Sequence, residues 1–475
     1  MRRLILPLLL LIVAGVAAFM ARSADRDAAA LSEPAESSPL PSAVTPVLSA
    51  RRIPEFIRVD TSNETLATDL VSVVESSPEN SCLVVTSEGD EVFNHNGQLP
   101  LVPASAQKLV TGTAALEELG GDYVFETIAG TTSAVSSGVI EGDLWLVGGG
   151  DPILTTKRYA GRYPEPETFT DLAELADALV AVGITEIQGG VIGDESRYDV
   201  VRSVPSWPPR FIDQNQTGPL SALSVNDGFD SYPDDNHANQ LATSSSQPAT
   251  NSAKIFDDLL EERGVVIRGG SSVGEVPSGL FALAKLQSPP LTEVVGQMLA
   301  SSDNSTAELL LKEIGLQARQ DGSTTAGAEA SGVIMTRAGF KMAGVVVADG
   351  SGLSSDNSVT CELLIDLLDD AGPDSALAAG LAISGQSGTL RERFLAPGLA
   401  GRIRAKTGSL NEVSALAGFA EGAEGDILTF AYIVNQPELS PDRARVTQDG
   451  LGKELVEYPE GPELNQLAPK PVNSE

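Results

Sequence analysis

Ser105 and Lys108 stand three positions apart in PASAQKLVTG, residues 103–112. On a helix, positions i and i+3 share a face, so the lysine amine reaches the serine hydroxyl. If burial or a second cation lowers its pKa, the amine takes the hydroxyl proton and leaves a nucleophile. The same residues also describe a helix capped by serine with a solvated lysine behind it. A Ser-x-x-Lys is expected about once by chance in a chain of this serine and lysine content. The pair therefore needs partners from elsewhere in the chain before it means catalysis.

Two further stretches supply them. SSDNSTAELLLK places Ser302, Asp303 and Asn304 at a turn between two helical patterns. A hydroxyl there relays a proton, and an amide holds a lysine or a substrate carbonyl; capping of the following helix is the plainer alternative. A second triplet, Ser355-Asp356-Asn357, lies in the Gly/Ser-rich DGSGLSSDNSVT, where turn formation explains it. The first triplet is preferred because it joins two helices. RAKTGSL then gives Lys406, Thr407, Gly408 and Ser409 on a strand-like run. Lysine and threonine on an edge strand bind a carboxylate, and glycine lets a ligand approach the backbone. The N–H groups of Ser409 and Ser105 are candidates for an oxyanion site. A turn at a strand end accounts for this stretch equally well when it is read alone.

The absences narrow the chemistry. Only two histidines occur, His95 in a turn-like FNHNG and His237 in a polar DDNHANQ. Neither setting suits a Ser-His-Asp triad or a zinc peptidase, so a serine enzyme here needs lysine as its base. No Cys/His cluster of metal-ligand type is present, and no metal or cofactor is expected.

The elements that would position these residues alternate in type. CLVVTSEGDEVFNHN predicts two short strands about a Gly-Asp turn. A helix is expected from about Ala104 to Leu119, ended by Gly120-Gly121. From about Phe125 to Leu283 the texture changes, with strand-like VIEGDLWLVGGG and IQGGVIGD and helical DLAELADALVAVG and AKIFDDLLEERG. Helices return around LTEVVGQMLASS and TAELLLKEIG, and strand-like GRIRAKTGSL, SALAGFAE and ILTFAYIVN close the pattern. The simplest fold class is a mixed α/β (α+β) domain split in sequence by an inserted mixed α/β domain.

The chain has 475 residues with 42% hydrophobic content, enough for a sizeable core and more than one domain. A net charge of −34 repels polyanions, and nucleic acid is excluded as a partner. Arg2 and Arg3 precede the apolar run LILPLLLLIVAGVAAFM, residues 4–20. A basic start and an apolar run of this length make a secretory signal or an N-terminal membrane anchor, so the body of the chain is expected outside the cytoplasm. No clean Ala-x-Ala site follows, which leaves cleavage open. Residues 25–55, rich in Ala, Ser and Pro, read as a spacer, and 459–475 as a disordered tail. Cys82 lies in a strand-like run and Cys361 starts a helix-like one. Spacing does not say whether they pair, and two buried thiols are the simpler reading.

The order Ser-x-x-Lys, Ser-x-Asn, Lys-Thr-Gly is the set used by β-lactamases and penicillin-binding proteins. With LVPASAQKLVTGTAALEELG, GDLWLVGGGDPIL, GPLSALSVN, MLASSDNSTAELLLKEIG, VADGSGLSSDN and RIRAKTGSLNEVSALAGF, the chain resembles the class C low-molecular-mass penicillin-binding proteins, the serine D-Ala-D-Ala carboxypeptidase/endopeptidase family, over roughly residues 60–457. The resemblance implies a β-lactamase/transpeptidase-like domain over 56–125 and 284–458, interrupted by an inserted domain at 126–283, with the signal or anchor at 1–24. It implies Ser105 as the acylated nucleophile and Lys108 as its general base. Ser302 and Asn304 would shuttle protons and position groups. Lys406 and Thr407 would hold the terminal carboxylate beside Gly408, and the N–H groups of Ser105 and Ser409 would form the oxyanion hole. The expected partners are peptidoglycan stem peptides, with β-lactams as inhibitors. Lys406 is expected to share in lowering the pKa of Lys108. Where many relatives carry an arginine that reads the stem side chain, this chain has Ser355, and Asp213 is one candidate for the matching acid. A β-lactamase is the competing enzyme reading, though nothing between the motifs suggests a dedicated deacylating glutamate. A non-catalytic wall-binding protein is the other alternative, and the intact Ser105, Lys108 and Lys406 argue against it.

Overall fold

Residues 427–435, ILTFAYIVN, are apolar almost throughout, as befits a strand covered on both faces. In the structure, a computed structural model describing residues 14–18, 20, 54–163, 167–235, 240–437, 439–459 and 464–467, they do form such a strand. Successive side chains of a strand point to opposite faces. Leu428, Phe430, Tyr432 and Val434 enter one core, and Ala431 and Ile433 enter another.

That strand, β11 (Ile427–Asn435), lies in a six-stranded antiparallel sheet ordered β8 (Ala382–Ile383), β9 (Ile403–Leu410), β10 (Val413–Glu421), β11, β1 (Ser81–Ser87), β2 (Asp90–His95). The sheet thus joins chain segments from both sides of the middle region. Helix α1 (Pro54–Glu75) covers one face through Leu66, Leu70 and Val73, together with α9 (Pro441–Glu457) through Leu451, Leu455 and Val456. The sequence reading left α1 out. The other face packs on α2 (Gln107–Leu119), α5 (Leu291–Ser301), α6 (Asn304–Arg319), α7 (Thr324–Arg337) and α8 (Cys361–Ala371), which share one continuous core.

The middle region builds a second sheet, ordered β6 (Ser272–Val273), β5 (Val191–Asp194), β4 (Leu144–Val147), β3 (Glu126–Thr131), β7 (Phe281–Gln287). Helices α3 (Leu172–Ala181) and α4 (Pro248–Glu261) pack on it around Leu146, Leu179 and Phe256, in a core of its own. Strands β4, β5 and β6 run parallel, while β3 and β7 pair antiparallel, and β7 continues to Gln287.

Cys82 on β1 and Cys361 at the start of α8 are joined by a disulfide, with their Cα atoms 6.1 Å apart. This corrects the expectation of two free thiols. Cys82 alternates onto the helical face of the sheet, and Thr360 caps α8 so that its first residue meets that face. Sequence spacing held no trace of this, because the two residues are separated by 279 positions. Among the described residues no helix is long and apolar enough to cross a membrane. The apolar run 4–20 lies largely, and the spacer almost wholly, outside the described residues, as does His237. His95 ends β2 and bonds the Asn96 side chain at 2.9 Å.

A bridge closing so long a loop stabilises the fold by on the order of 5 kcal/mol in the chain-entropy account. Replacing both Cys82 and Cys361 with Ala is expected to lower Tm clearly in a thermal melt. Dithiothreitol should then lower the Tm of the wild type and leave that of the variant unchanged.

Candidate active site

Ser105 sits in a short 3-10 turn, Ala104–Ala106, that runs directly into α2. Ala104, just before it, holds a left-handed φ of 47°. For a residue with a Cβ this conformation carries strain of about 1–2 kcal/mol, retained only where the surroundings impose it. The predicted Ala104–Leu119 helix is therefore a 3-10 entry followed by an α-helix, and it ends at Gly120 with φ 82°. One turn after Ser105, at the second residue of α2, Lys108 is fully buried. Its Nζ donates to Ser105 Oγ at 3.1 Å, to Asn304 Oδ1 at 2.7 Å and to the Ser351 carbonyl at 2.7 Å.

Asn304 opens α6, and Ser302 links α5 to it in a left-handed conformation with φ 62°. Asp303 between them is the N-cap, accepting from Thr306 N at 3.2 Å. The sharp turn sends the neighbouring side chains to different lysines. Asn304 holds Lys108, whereas Ser302 Oγ accepts from Lys406 Nζ at 2.9 Å. Lys406 is fully buried on β9 and also donates to the Thr407 carbonyl at 2.8 Å. The Thr407 hydroxyl donates to Thr389 Oγ1 at 2.9 Å. Gly408 is required by proximity, since a Cβ there would lie 2.5 Å from the Pro103 carbonyl oxygen and 3.2 Å from Ala106 N. The edge of β9 thereby abuts the turn that carries Ser105. Ser409, next along β9, is exposed.

The electrostatics follow from burial. Loss of water lowers the Lys108 amine to about 8, against the opposing pull of Asp303, Asp349 and Glu308. Lys406 is pushed well below the ordinary lysine value, by burial first and by Lys108 second. Repulsion between the two ammonium groups is reciprocal and adds to the effect of burial. Two buried ammonium groups in one site resist being charged together, and the one that gives up its proton first relieves the other.

Residues 68–232 and 230–455 match the D-Ala-D-Ala carboxypeptidase 3 (S13) family. The chain belongs to this family. The carboxypeptidase is 30% identical over 449 residues to a D-alanyl-D-alanine carboxypeptidase of Actinomadura sp., covering 79% of this chain and 80% of that one. It is 30% identical over 437 residues to a carboxypeptidase of Mycobacterium tuberculosis, covering 88% and 89%. Its fold matches that of penicillin binding protein 4 from Haemophilus influenzae with a TM-score of 0.68, at 23% identity over 82% of this chain and 99% of that one. That protein is also known in complex with a β-lactam, in a structure matched with a TM-score of 0.60.

The structure of the carboxypeptidase joins Ser105, Lys108 and Asn304 in one set of hydrogen bonds and Ser302, Lys406 and the Thr407 carbonyl in another, and it brings Gly408 against the Ser105 turn. The second triplet is elsewhere employed: Asn357 is buried and ties Asp349 Oδ1 to the Ser354 carbonyl. Ser355 lines a cavity of about 390 Å³ with Arg210, Leu353, Leu410, Asn411 and Glu412. Asp213 is exposed at the end of a short helix and is not among the residues lining that cavity. Sequence reasoning missed Ser351, Thr389 and Gln216, whose carbonyl accepts from Asn304 Nδ2 at 2.8 Å. Two of these act through backbone carbonyls, which no residue type announces. Among the described residues no group of histidine, cysteine and acidic side chains is placed to hold a metal ion.

Gly408→Ala forces the β9 edge away from the Ser105 turn. A displacement near 1 Å at a reacting centre costs about 100-fold in rate. The variant is expected to lose acylation by a fluorescent penicillin on that scale while its circular dichroism stays native.

Proposed function

We propose that Ser105 is the nucleophile of a D,D-peptidase that hydrolyses D-Ala-D-Ala termini and D,D cross-links of peptidoglycan, with Lys108 as its general base. The observation that carries this reading is the buried Lys108 amine, lowered to about 8 and within 3.1 Å of Ser105 Oγ. In its neutral form the amine takes the hydroxyl proton as Oγ attacks the penultimate D-Ala carbonyl. The N–H groups of Ser105 and Ser409 receive the developing oxyanion. Ser302 passes a proton to the departing nitrogen and is resupplied by Lys406, its partner at 2.9 Å. Lys406 and Thr407 accept the carboxylate of the leaving D-Ala. That carboxylate favours a charged Lys406, and a charged Lys406 disfavours a charged Lys108, so bound substrate itself promotes the free amine the attack needs. As D-Ala leaves, the proton on Lys108 returns to Lys406, and the freed Lys108 amine takes a proton from water as its oxygen attacks the acyl ester; that proton passes back to Ser105 Oγ when the ester bond breaks, restoring the serine.

β-Lactams enter by the same route. Their ring carbonyl acylates Ser105, and the leaving nitrogen stays tethered, which slows the approach of water. The cavity by Ser355 lies at the end of β9, and we assign it to the stem side chain, with exposed Arg210 as the cation in its lining in place of the family arginine. The two separate cores support an inserted domain beginning near 126 within the catalytic domain, with its end moved from 283 to the close of β7 at Gln287. The Cys82–Cys361 bridge and the apolar N-terminus support action outside the cytoplasm, secreted or anchored through residues 1–24.

Digestion of purified muropeptides tests the assignment. The wild type is expected to release free D-Ala and open cross-links, and Ser105→Ala is expected to do neither. Lys406→Ala should lower the rate on D-Ala-D-Ala peptides by about 10²–10³-fold with the fold intact; full activity there would remove Lys406 from the site. Because the neutral amine is the active form, the rate of acylation should rise with pH through about 8 and level off above it. A rate independent of pH from 6 to 9, on the order of a unit either side of neutrality and beyond, would contradict Lys108 as base.

A further inference from the structure

Lys108 is gripped by a carbonyl as well as by two side chains, and the position of that carbonyl needs its own explanation. Ser351 belongs to the loop Asp349-Gly350-Ser351-Gly352, which is buried along its whole length. The loop bridges two helices. From α2, Lys108 Nζ and Thr111 Oγ1, one turn apart, each donate at 2.7 Å to the successive carbonyls of Ser351 and Gly350. From α6, Glu308 Oε1 accepts from the backbone N–H groups of the same two residues, Gly350 at 3.1 Å and Ser351 at 2.7 Å. Neither glycine has room for a side chain. A Cβ on Gly350 would lie 2.3 Å from the Ala307 carbonyl oxygen, and one on Gly352, at φ +83°, would lie 1.9 Å from that of Ala104. The loop is therefore wedged between α6 and the strained turn before Ser105.

Glu308 stands one helical turn after Asn304, so both project from the same face of α6. Asn304 holds the Lys108 amine directly, and Glu308 holds the loop whose carbonyl is the amine's third partner. We propose that Glu308 is a positioning residue for the general base: it fixes the Gly350–Ser351 backbone so that the Ser351 carbonyl meets Lys108 Nζ. The inference rests on the reading of Lys108 as the base.

The chemistry of Glu308 suits that task. It is fully buried, and among the described residues its second oxygen, Oε2, has no hydrogen-bond partner. Burial, with Asp349 next to it, raises its carboxyl above the ordinary range. Its Oε1 grips two successive backbone N–H groups of the loop. Asp349 fixes the rest of the loop, accepting from Gly352 N at 2.8 Å, Ser354 N at 2.6 Å, Asn357 Nδ2 at 2.7 Å and Trp207 Nε1 at 2.7 Å.

The test is the rate of acylation by a fluorescent penicillin as a function of pH in full-length Glu308→Gln and Glu308→Met. Glutamine keeps an acceptor oxygen and should acylate within about fivefold of wild type. Methionine matches the volume but orphans both N–H groups and should slow acylation by about 10- to 100-fold. It should also move the rise near pH 8 to lower pH, because the Lys108 ammonium loses the fixed carbonyl that stabilises it. A folded Glu308→Met with the wild-type rate overturns the proposal. So does one that is slowed with its pH profile unmoved, since the loss would then not run through Lys108. If Glu308→Met fails to fold, Thr111→Val decides: it frees the Gly350 carbonyl from the opposite side. A slower rate with a downward-shifted profile supports the proposal, and a wild-type rate and profile overturn it. The wild-type profile keeps the two claims apart, for a missing rise there contradicts the base itself rather than its positioning.

Discussion

Two lysine amines are buried within one site, and the surrounding structure is arranged around the difficulty of keeping them there. An isolated ammonium in a protein interior loses its hydration, and it is tolerated only where polar atoms replace that shell or where it sheds its proton. Lys108 has three acceptors and Lys406 has two, supplied by the Ala104–Ala106 turn, the α5–α6 turn, the first residue of α6, β9 and the buried Asp349–Gly352 loop. Desolvation still lowers both amines. The result is a serine whose neighbour is a weak enough base to be partly neutral near physiological pH, with no histidine involved.

The middle region takes part in this arrangement. Trp207 donates to Asp349, the Gln216 carbonyl accepts from Asn304, and Gly218 N donates to Ser305 Oγ. Further along α6, Glu313 is fully buried and accepts from Arg197, Tyr198 and Tyr123, while Lys312 pairs with Asp199. Removing one partner of a buried ion pair typically costs about 3–5 kcal/mol. Such contacts fasten the inserted sheet to the helix that begins with Asn304, so the insertion has a structural claim on the catalytic geometry as well as a place beside the cleft.

Much of this was legible in the sequence, and the reasons differ by element. The hairpin at 81–95, the helix after Ser105 and the strands at 403–435 follow from turn residues and apolar periodicity, which are local signals. The residues of the proposed site stood out because Ser-x-x-Lys, Ser-x-Asn and Lys-Thr-Gly constrain one another by order. Helix α1 was hidden because its start lies against a Pro-rich spacer and its apolar stripe is thin. The Cys82–Cys361 bond was hidden because pairing depends on which face of β1 meets α8, and that is set by the whole sheet. That both amines are fully buried was hidden because burial depends on how α2, α6 and β9 pack together. Glu308 reads from sequence as an ordinary helical glutamate, and only the fold reveals two backbone N–H groups aimed at it.

The account stands on the proton affinity of Lys108. Site-resolved NMR titration of the lysine Cε resonances, assigned with Lys108→Arg and Lys406→Arg variants, measures it directly. The account predicts that Lys108 titrates near 8 in the free enzyme, with Lys406 also well below 10.5. A Lys108 resonance titrating near 10.5, as in a solvated lysine, would contradict it.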